Sequence, residues 1–191
     1  MIYFCVDVEA SGPIAPIYNL LSIGATALHA EADGALRLGE SFYVELQPIF
    51  SGFDPGAMKV CGLDRERLER EGQHPEEALK AFCAWIKEQN KRSRERPVFV
   101  GHNAVFDWAY LSFYFEHFGM KNPFGYKGID SKSLAMGRLG IPWTKTSKEN
   151  LSKVLQLPDQ DPAQVHRADY DAWYQALLLK ALLEHPAIPP S

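Results

Sequence analysis

Four carboxylates and one histidine in this 191-residue chain occupy positions where charge is costly to hold. The first two, Asp7 and Glu9, close the apolar run Ile2-Tyr3-Phe4-Cys5-Val6. Side chains alternate along a strand, so Ile2, Phe4, Val6 and Val8 face one way, while Tyr3, Cys5, Asp7 and Glu9 face the other. At about 3.3 Å rise per residue, the α-carbons of Asp7 and Glu9 lie roughly 6 to 7 Å apart, within reach of one cation or a pair. Two solvated acids at a strand end would read the same way. Asp107 sits beside a helical stripe of Ala104, Trp108, Leu111, Phe115 and Phe118, where a carboxylate is expensive unless a cation or hydrogen-bond donors compensate it. A salt-bridged or capping acid is the plain alternative. His166 and Asp171 are five residues apart, too many to stack on one helical face. His166 is therefore expected just before the last long helix and Asp171 in its first turns, heading a row with Gln175, Leu178 and Leu182. Asp169 points elsewhere and suits the helix N-terminus, where negative charge is favoured.

The elements that must position these residues follow from the patterning. Strands are expected over Ile2–Asp7, Leu20–Leu28 and Glu40–Leu46, with a turn at Asp33-Gly34. Helical periodicity begins at Pro55, and the segment Pro75–Glu88 lines up Ala78, Phe82, Trp85 and Ile86. A basic run, Lys91-Arg92-Ser93-Arg94-Glu95-Arg96, reads as a solvated loop feeding a strand at Pro97–Val100. A helix over Ala104–Phe118 stops at Gly119, and a short strand ends near Asp130. Further helices are expected over Ser131–Leu139, Ser147–Leu157 and Arg167–Glu184. Strands first, then helices mixed with short strands, indicate an α/β chain with a central mixed β-sheet flanked by helices. One domain over residues 1–185 is expected, followed by a proline-rich tail at 186–191.

Composition narrows the partners. A formal net charge of -4 argues against coating nucleic acid or membrane by bulk electrostatics, so a polyanion must be met by a local patch or by bound metal. Cys5, Cys61 and Cys83 are odd in number and unclustered, which fits reduced thiols in a cytoplasmic protein. No signal peptide or membrane span is expected.

Asp7-Val8-Glu9-Ala10-Ser11-Gly12, Gly101-His102-Asn103-Ala104-Val105-Phe106-Asp107 and His166-Arg167-Ala168-Asp169-Tyr170-Asp171-Ala172 resemble the three motifs of the DEDDh (DnaQ-like) 3′-to-5′ exonucleases in order and spacing. Ser22-Ile23-Gly24-Ala25 is similar to that family's second strand. Met58-Lys59-Val60-Cys61-Gly62-Leu63 is similar to a loop that usually reads Ile-Thr-Gly-Leu. Ser22 and Cys61 depart from the usual residues, away from the catalytic positions. The resemblance spans residues 2 to 183. It implies a ribonuclease H-like fold with the acids at one edge of the sheet, and two Mg2+ or Mn2+ ions, which suit hard carboxylate oxygens. It further implies that Asp7 bridges the ions, that Glu9 and Asp171 serve the nucleophile-side ion, and that Asp107 supports the other. His166 would be the general base, a role suited to a side chain that titrates near about 6.5. Ala10, Ser11, Asn103 and Phe106 would hold the 3′-terminal nucleotide, Ser11 through its hydroxyl. The products would be nucleoside 5′-monophosphates.

The implied partner is single-stranded RNA or DNA with a free 3′ end. Stacking on bases by Phe106, Tyr110, Phe113 or Tyr114 competes with a core role for the same rings. Lys145, Lys148 and Lys153 read as solvated helix-face lysines ahead of phosphate contacts. A homodimer is compatible with these features. A polymerase-associated proofreading or repair exonuclease is the alternative within catalysis, disfavoured because the chain ends soon after its last helix. A non-catalytic nucleic-acid-binding module is the alternative outside it, disfavoured because clustered acids repel phosphate.

Overall fold

A computed structural model describes residues 1–93 and 95–186. Arg94 of the basic run, and the expected tail beyond Pro186, lie outside the described residues. Five strands form one mixed sheet: β1 (Ile2–Ala10), β2 (Leu20–Ala30), β3 (Leu36–Glu45), β4 (Val98–Gly101) and β5 (Gly128–Asp130). Their order is β3-β2-β1-β4-β5. The first three pair antiparallel as a meander, whereas β4 and β5 add in parallel on the other side of β1. The helices are α1 (Pro55–Cys61), α2 (Arg65–Glu71), α3 (Pro75–Asn90), α4 (Ala104–His117), α5 (Ser131–Leu139), α6 (Lys148–Leu155) and α7 (Ala168–Glu184).

The alternation read along β1 holds. Ile2, Phe4, Val6 and Val8 pack into the main core with Ala78, Leu79, Phe82 and Ile86 of α3 and with Tyr110, Leu111, Tyr114 and Phe115 of α4. Cys5 on the opposite face packs with Ala176 and Leu179 of α7. The sheet is thus covered on both faces, which buries six of the nine residues of β1 and leaves Tyr3, Asp7 and Glu9 partly buried. Strand β3 starts four residues earlier than expected, at Leu36, because pairing with β2 out to Ala30 carries it there.

One expectation needs correction. The buried face of α4 is not the stripe 104, 108, 111, 115 and 118. Tyr110 and Tyr114 are buried, while Trp108 and Phe118 are only partly so. Asp107 therefore lies within the buried face and not beside it. The hydroxyl of Tyr110 donates to the Gly12 carbonyl at 2.7 Å, and that of Tyr114 accepts from the Leu20 N–H at 3.0 Å. Those two rings tie α4 to the β1–β2 connection and are core, not base-stacking, residues. The acids gather at the C-terminal end of β1, the central strand.

Candidate active site

Strand pairing opens the site. β4 pairs with β1 only from Tyr3 to Cys5, so the β4-facing edge of β1 has no strand partner beyond Cys5. Asp107 fills that gap: the Val8 N–H donates to its Oδ1 at 2.9 Å. Gly101 and the left-handed backbone of Asn103, at φ 71°, make the sharp turn from β4 into α4. A Cβ on Gly101 would stand 2.8 Å from the Ala104 α-carbon, so glycine permits the close approach that delivers Asp107. On the other side the register of β1 against β2 shifts between Glu9 and Ala10, a bulge of the kind that re-aims side chains beside functional sites.

Helix α7 supplies the fourth acid. Its N-terminus lies so close to β2 that a Cβ on Gly24 would stand 2.0 Å from the carbonyl of Ala168. With α7 seated there, Asp171 and Gln175 face β1, and Gln175 Nε2 donates to Asp7 Oδ1 at 2.6 Å. His166 precedes the helix in a left-handed conformation, φ 68°, uncommon for a residue other than glycine. Its backbone N–H donates to Asp171 Oδ2 at 2.7 Å, and its exposed ring stands next to Glu9 and Asp171. Ligand atoms of Glu9, His166 and Asp171 all lie within 4.8 Å of one another.

These groups line one cavity of about 260 Å³, together with His102, Asn103, Phe106, Lys148, Gln160 and Val165. Seven of the nine sequence-derived candidates thus converge. Ala10 and Ser11 do not line the cavity. Ser11 is fully buried: its hydroxyl accepts the Asn19 N–H at 2.8 Å and donates to the Gly52 carbonyl at 3.0 Å. It holds the β1–β2 connection to the loop after β3, which corrects the expectation of a hydroxyl contact to nucleotide.

The electrostatics are those of an acid cluster short of positive charge. Desolvation by burial pushes Asp7 up to about 6, with Asp171 adding to the rise and Lys148 opposing it. Burial, then the charges of Asp7 and Asp171, pushes Glu9 up to about 9. Asp107 is held well above the carboxylate range by burial and by Asp7. His102 is pushed down to about 4 by burial and by the charges of Lys148 and Lys132, with its Nδ1 2.8 Å from Ser131 Oγ. A histidine so depressed stays neutral near pH 7 and is a poor proton acceptor. His166, by contrast, is exposed at the cavity rim.

Sequence reasoning missed Lys148. Far from solvated, its side chain is 17 % exposed, and its ammonium pairs with Asp171 Oδ1 at 2.5 Å and with Asp7 Oδ1 at 3.5 Å. The one signal available was a lysine in the first turn of a helix, against the sign that the helix dipole favours there. Gln160 was also missed; it reaches Asp171 Oδ1 at 3.4 Å.

Divalent ions fit this donor set. Both oxygens of Glu9, Asp7 Oδ2 and Asp107 Oδ2 receive no hydrogen bond among the described residues, and all three residues line the cavity. Hard oxygens with raised proton affinity are donors of the kind magnesium and manganese take.

Comparison with known proteins agrees with this geometry. Residues 3–183 match the model of the 3′-5′ exoribonuclease Rv2179c-like domain. The 3′-5′ DNA exonuclease Cap18 of Escherichia coli is 38% identical over 181 residues, covering 95% of this chain and 91% of that protein. Ribonuclease T of Cronobacter sakazakii is 30% identical over 177 residues, covering 91% and 77%. Among solved structures, the nuclease domain of 3′hExo, a DEDDh family member bound to rAMP, superposes with a TM-score of 0.79 at 16% identity. It covers 96% of this chain and 92% of that one. An E. coli ExoI–ssDNA complex gives 0.69 at 16% identity, over 95% and 40%.

Proposed function

We propose that this chain, which belongs to the family of Rv2179c-like 3′-5′ exoribonuclease domains and is an exonuclease with the DEDDh ribonuclease H-like fold, degrades single-stranded RNA or DNA from a free 3′ end to nucleoside 5′-monophosphates. Residues 1–185 act as one catalytic unit. The observation that carries the reading is the convergence of Asp7, Glu9, Asp107 and Asp171 on one cavity with a single exposed histidine at its rim. Four acids repel a phosphodiester, and only bound cations turn such a cluster into a phosphate site.

Asp7, Glu9 and Asp171 would hold one divalent ion, and Asp7 with Asp107 a second. Two such ions would supply activation of the attacking water and stabilise the charge on the phosphate and the leaving oxygen. His166 would accept the proton of the attacking water, because its ring stands beside Glu9 and Asp171 and open to solvent. Gln175 fixes the orientation of Asp7 through its hydrogen bond to Oδ1. Phe106, partly buried in the cavity wall between Asn103 and Asp107, offers a face for the terminal base, and Asn103 a polar contact beside it. The family model is described as an exoribonuclease while the Cap18 relative is described as a DNA exonuclease, so the test runs both sugars. Single-stranded RNA and DNA labelled at the 5′ end are incubated with Mg2+, Mn2+ or a chelator. A ladder shortening from the 3′ end in metal alone is expected; binding without any ladder, or cutting from the 5′ end, would refute the reading.

A further inference from the structure

The acid cluster contains a cation of its own, and nothing in the exonuclease reading assigns Lys148 a task. A lysine this buried persists only when paired, and its position compounds the cost. It is the first residue of α6, after the N-cap Ser147, where the helix dipole disfavours positive charge. Its pairing is with two acids at once: the ammonium stands within ion-pair distance of both Asp171 Oδ1 and Asp7 Oδ1.

Donor bookkeeping shows what the lysine occupies. Asp171 Oδ2 accepts the His166 N–H, and Asp171 Oδ1 accepts from Lys148 Nζ and Gln160 Nε2. Asp7 Oδ1 accepts from Gln175, with Lys148 Nζ 3.5 Å away. Asp171 is therefore the one acid of the four with both oxygens engaged, and its engagement on the Oδ1 side is ionic. The other three each keep at least one oxygen without a donor among the described residues.

We infer that Lys148 is a tethered counter-cation that competes with a divalent ion for Asp171 and Asp7, so that an ion reaching Asp171 must first displace the ammonium into the cavity. The inference rests on the metal-dependent reading above. It makes Lys148 a positioning residue that tunes metal affinity, since it holds the acids together while opposing a second positive charge beside them.

The test is direct metal binding without substrate. Mn2+ is titrated calorimetrically into the full chain and into Lys148→Met and Lys148→Arg. Lys148→Met is expected to bind at least about tenfold more tightly, roughly 1.4 kcal/mol, and Lys148→Arg to stay near the parent. The Lys148→Met protein should unfold at lower temperature in chelator and gain more from Mn2+ than the parent does. Equal or weaker Mn2+ affinity in Lys148→Met overturns the inference while leaving the metal-dependent reading intact, whereas no Mn2+ binding by the parent overturns both. Should Lys148→Met fail to fold, amine acetylation of the parent, mapped by mass spectrometry, decides instead. Lys148 labelling should rise when Mn2+ replaces chelator, and unchanged labelling overturns displacement.

Discussion

At the scale of single residues, two histidines line the cavity and their surroundings separate their roles. His102 is anchored on Ser131 and held neutral by burial and neighbouring lysines. His166 is exposed and held in a left-handed backbone that its own N–H, bonded to Asp171, stabilises. We expect His166→Ala to lower turnover by about 10²- to 10⁴-fold, the usual worth of a general base, with calorimetric Mn2+ affinity close to the parent. Asp7→Ala should lose both turnover and Mn2+ binding, because it removes the acid placed between the two halves of the cluster. An active His166→Ala protein would remove that residue from the proton-transfer role. The serine of the first motif is a reminder that residue identity does not settle a task. Ser11 spends its hydroxyl on the Asn19 N–H and the Gly52 carbonyl, and no feature of the linear motif distinguishes that duty from a nucleotide contact.

At the scale of elements, the site depends on how closely α7 approaches β2. Gly24 lies in the middle of β2, where a side chain would ordinarily help a strand. The contact with the Ala168 carbonyl explains its absence. Gly24→Ala is expected to push α7 outward, destabilising the protein by about 1–3 kcal/mol as overpacking does and weakening Mn2+ binding by moving Asp171 and Gln175. Urea unfolding and Mn2+ titration of this variant measure the two effects together; parental values in both would show that the helix seat tolerates a methyl group. The bounds of α3 to α7 were legible to within two residues, with Asp130 and Ser147 each accepting a backbone N–H from the first turn they precede, whereas the linear reading drew no bounds for α1 and α2 and put Met58–Cys61, which lie in α1, in a loop. Which residues of α4 face inward was less legible. An aromatic-rich helix carries apolar side chains on every face, and the hydrogen bonds that the Tyr110 hydroxyl donates and the Tyr114 hydroxyl accepts, invisible in a periodicity, select the buried one.

For the molecule as a whole, burying the acid cluster carries a desolvation cost, with mutual repulsion added to it, that the rest of the fold must overcome, and pH reports it. Folding raises Asp7 from the ordinary 3.8 to about 6 and Glu9 from 4.5 to about 9. Groups raised in this way contribute stability that is fully present below their unfolded values and lost as pH rises through the folded ones. In chelator, the thermal midpoint should therefore fall between about pH 4 and pH 9 through these two groups. Excess Mn2+ should remove most of that decline, because the ion stabilises the ionised acids. A chelated protein whose midpoint rises across that range would contradict the assignment of raised acids. No helix among the described residues is long and apolar enough to cross a membrane.

The linear chain by itself determined the mixed α/β architecture, the antiparallel opening meander and most of the residues that line the candidate site. Alternation along β1 and the cost of placing acids beside apolar stripes are local physics, readable from residue type and spacing. Tertiary structure alone decided that β1 is the central strand, that its pairing with β4 stops at Cys5, and that the gap so opened receives Asp107. It also decided the fate of Lys148, which a linear reading places among solvated lysines. Whether an ammonium faces water or a pair of carboxylates depends on residues 141 and 23 positions away in the chain, and only the folded chain brings those together.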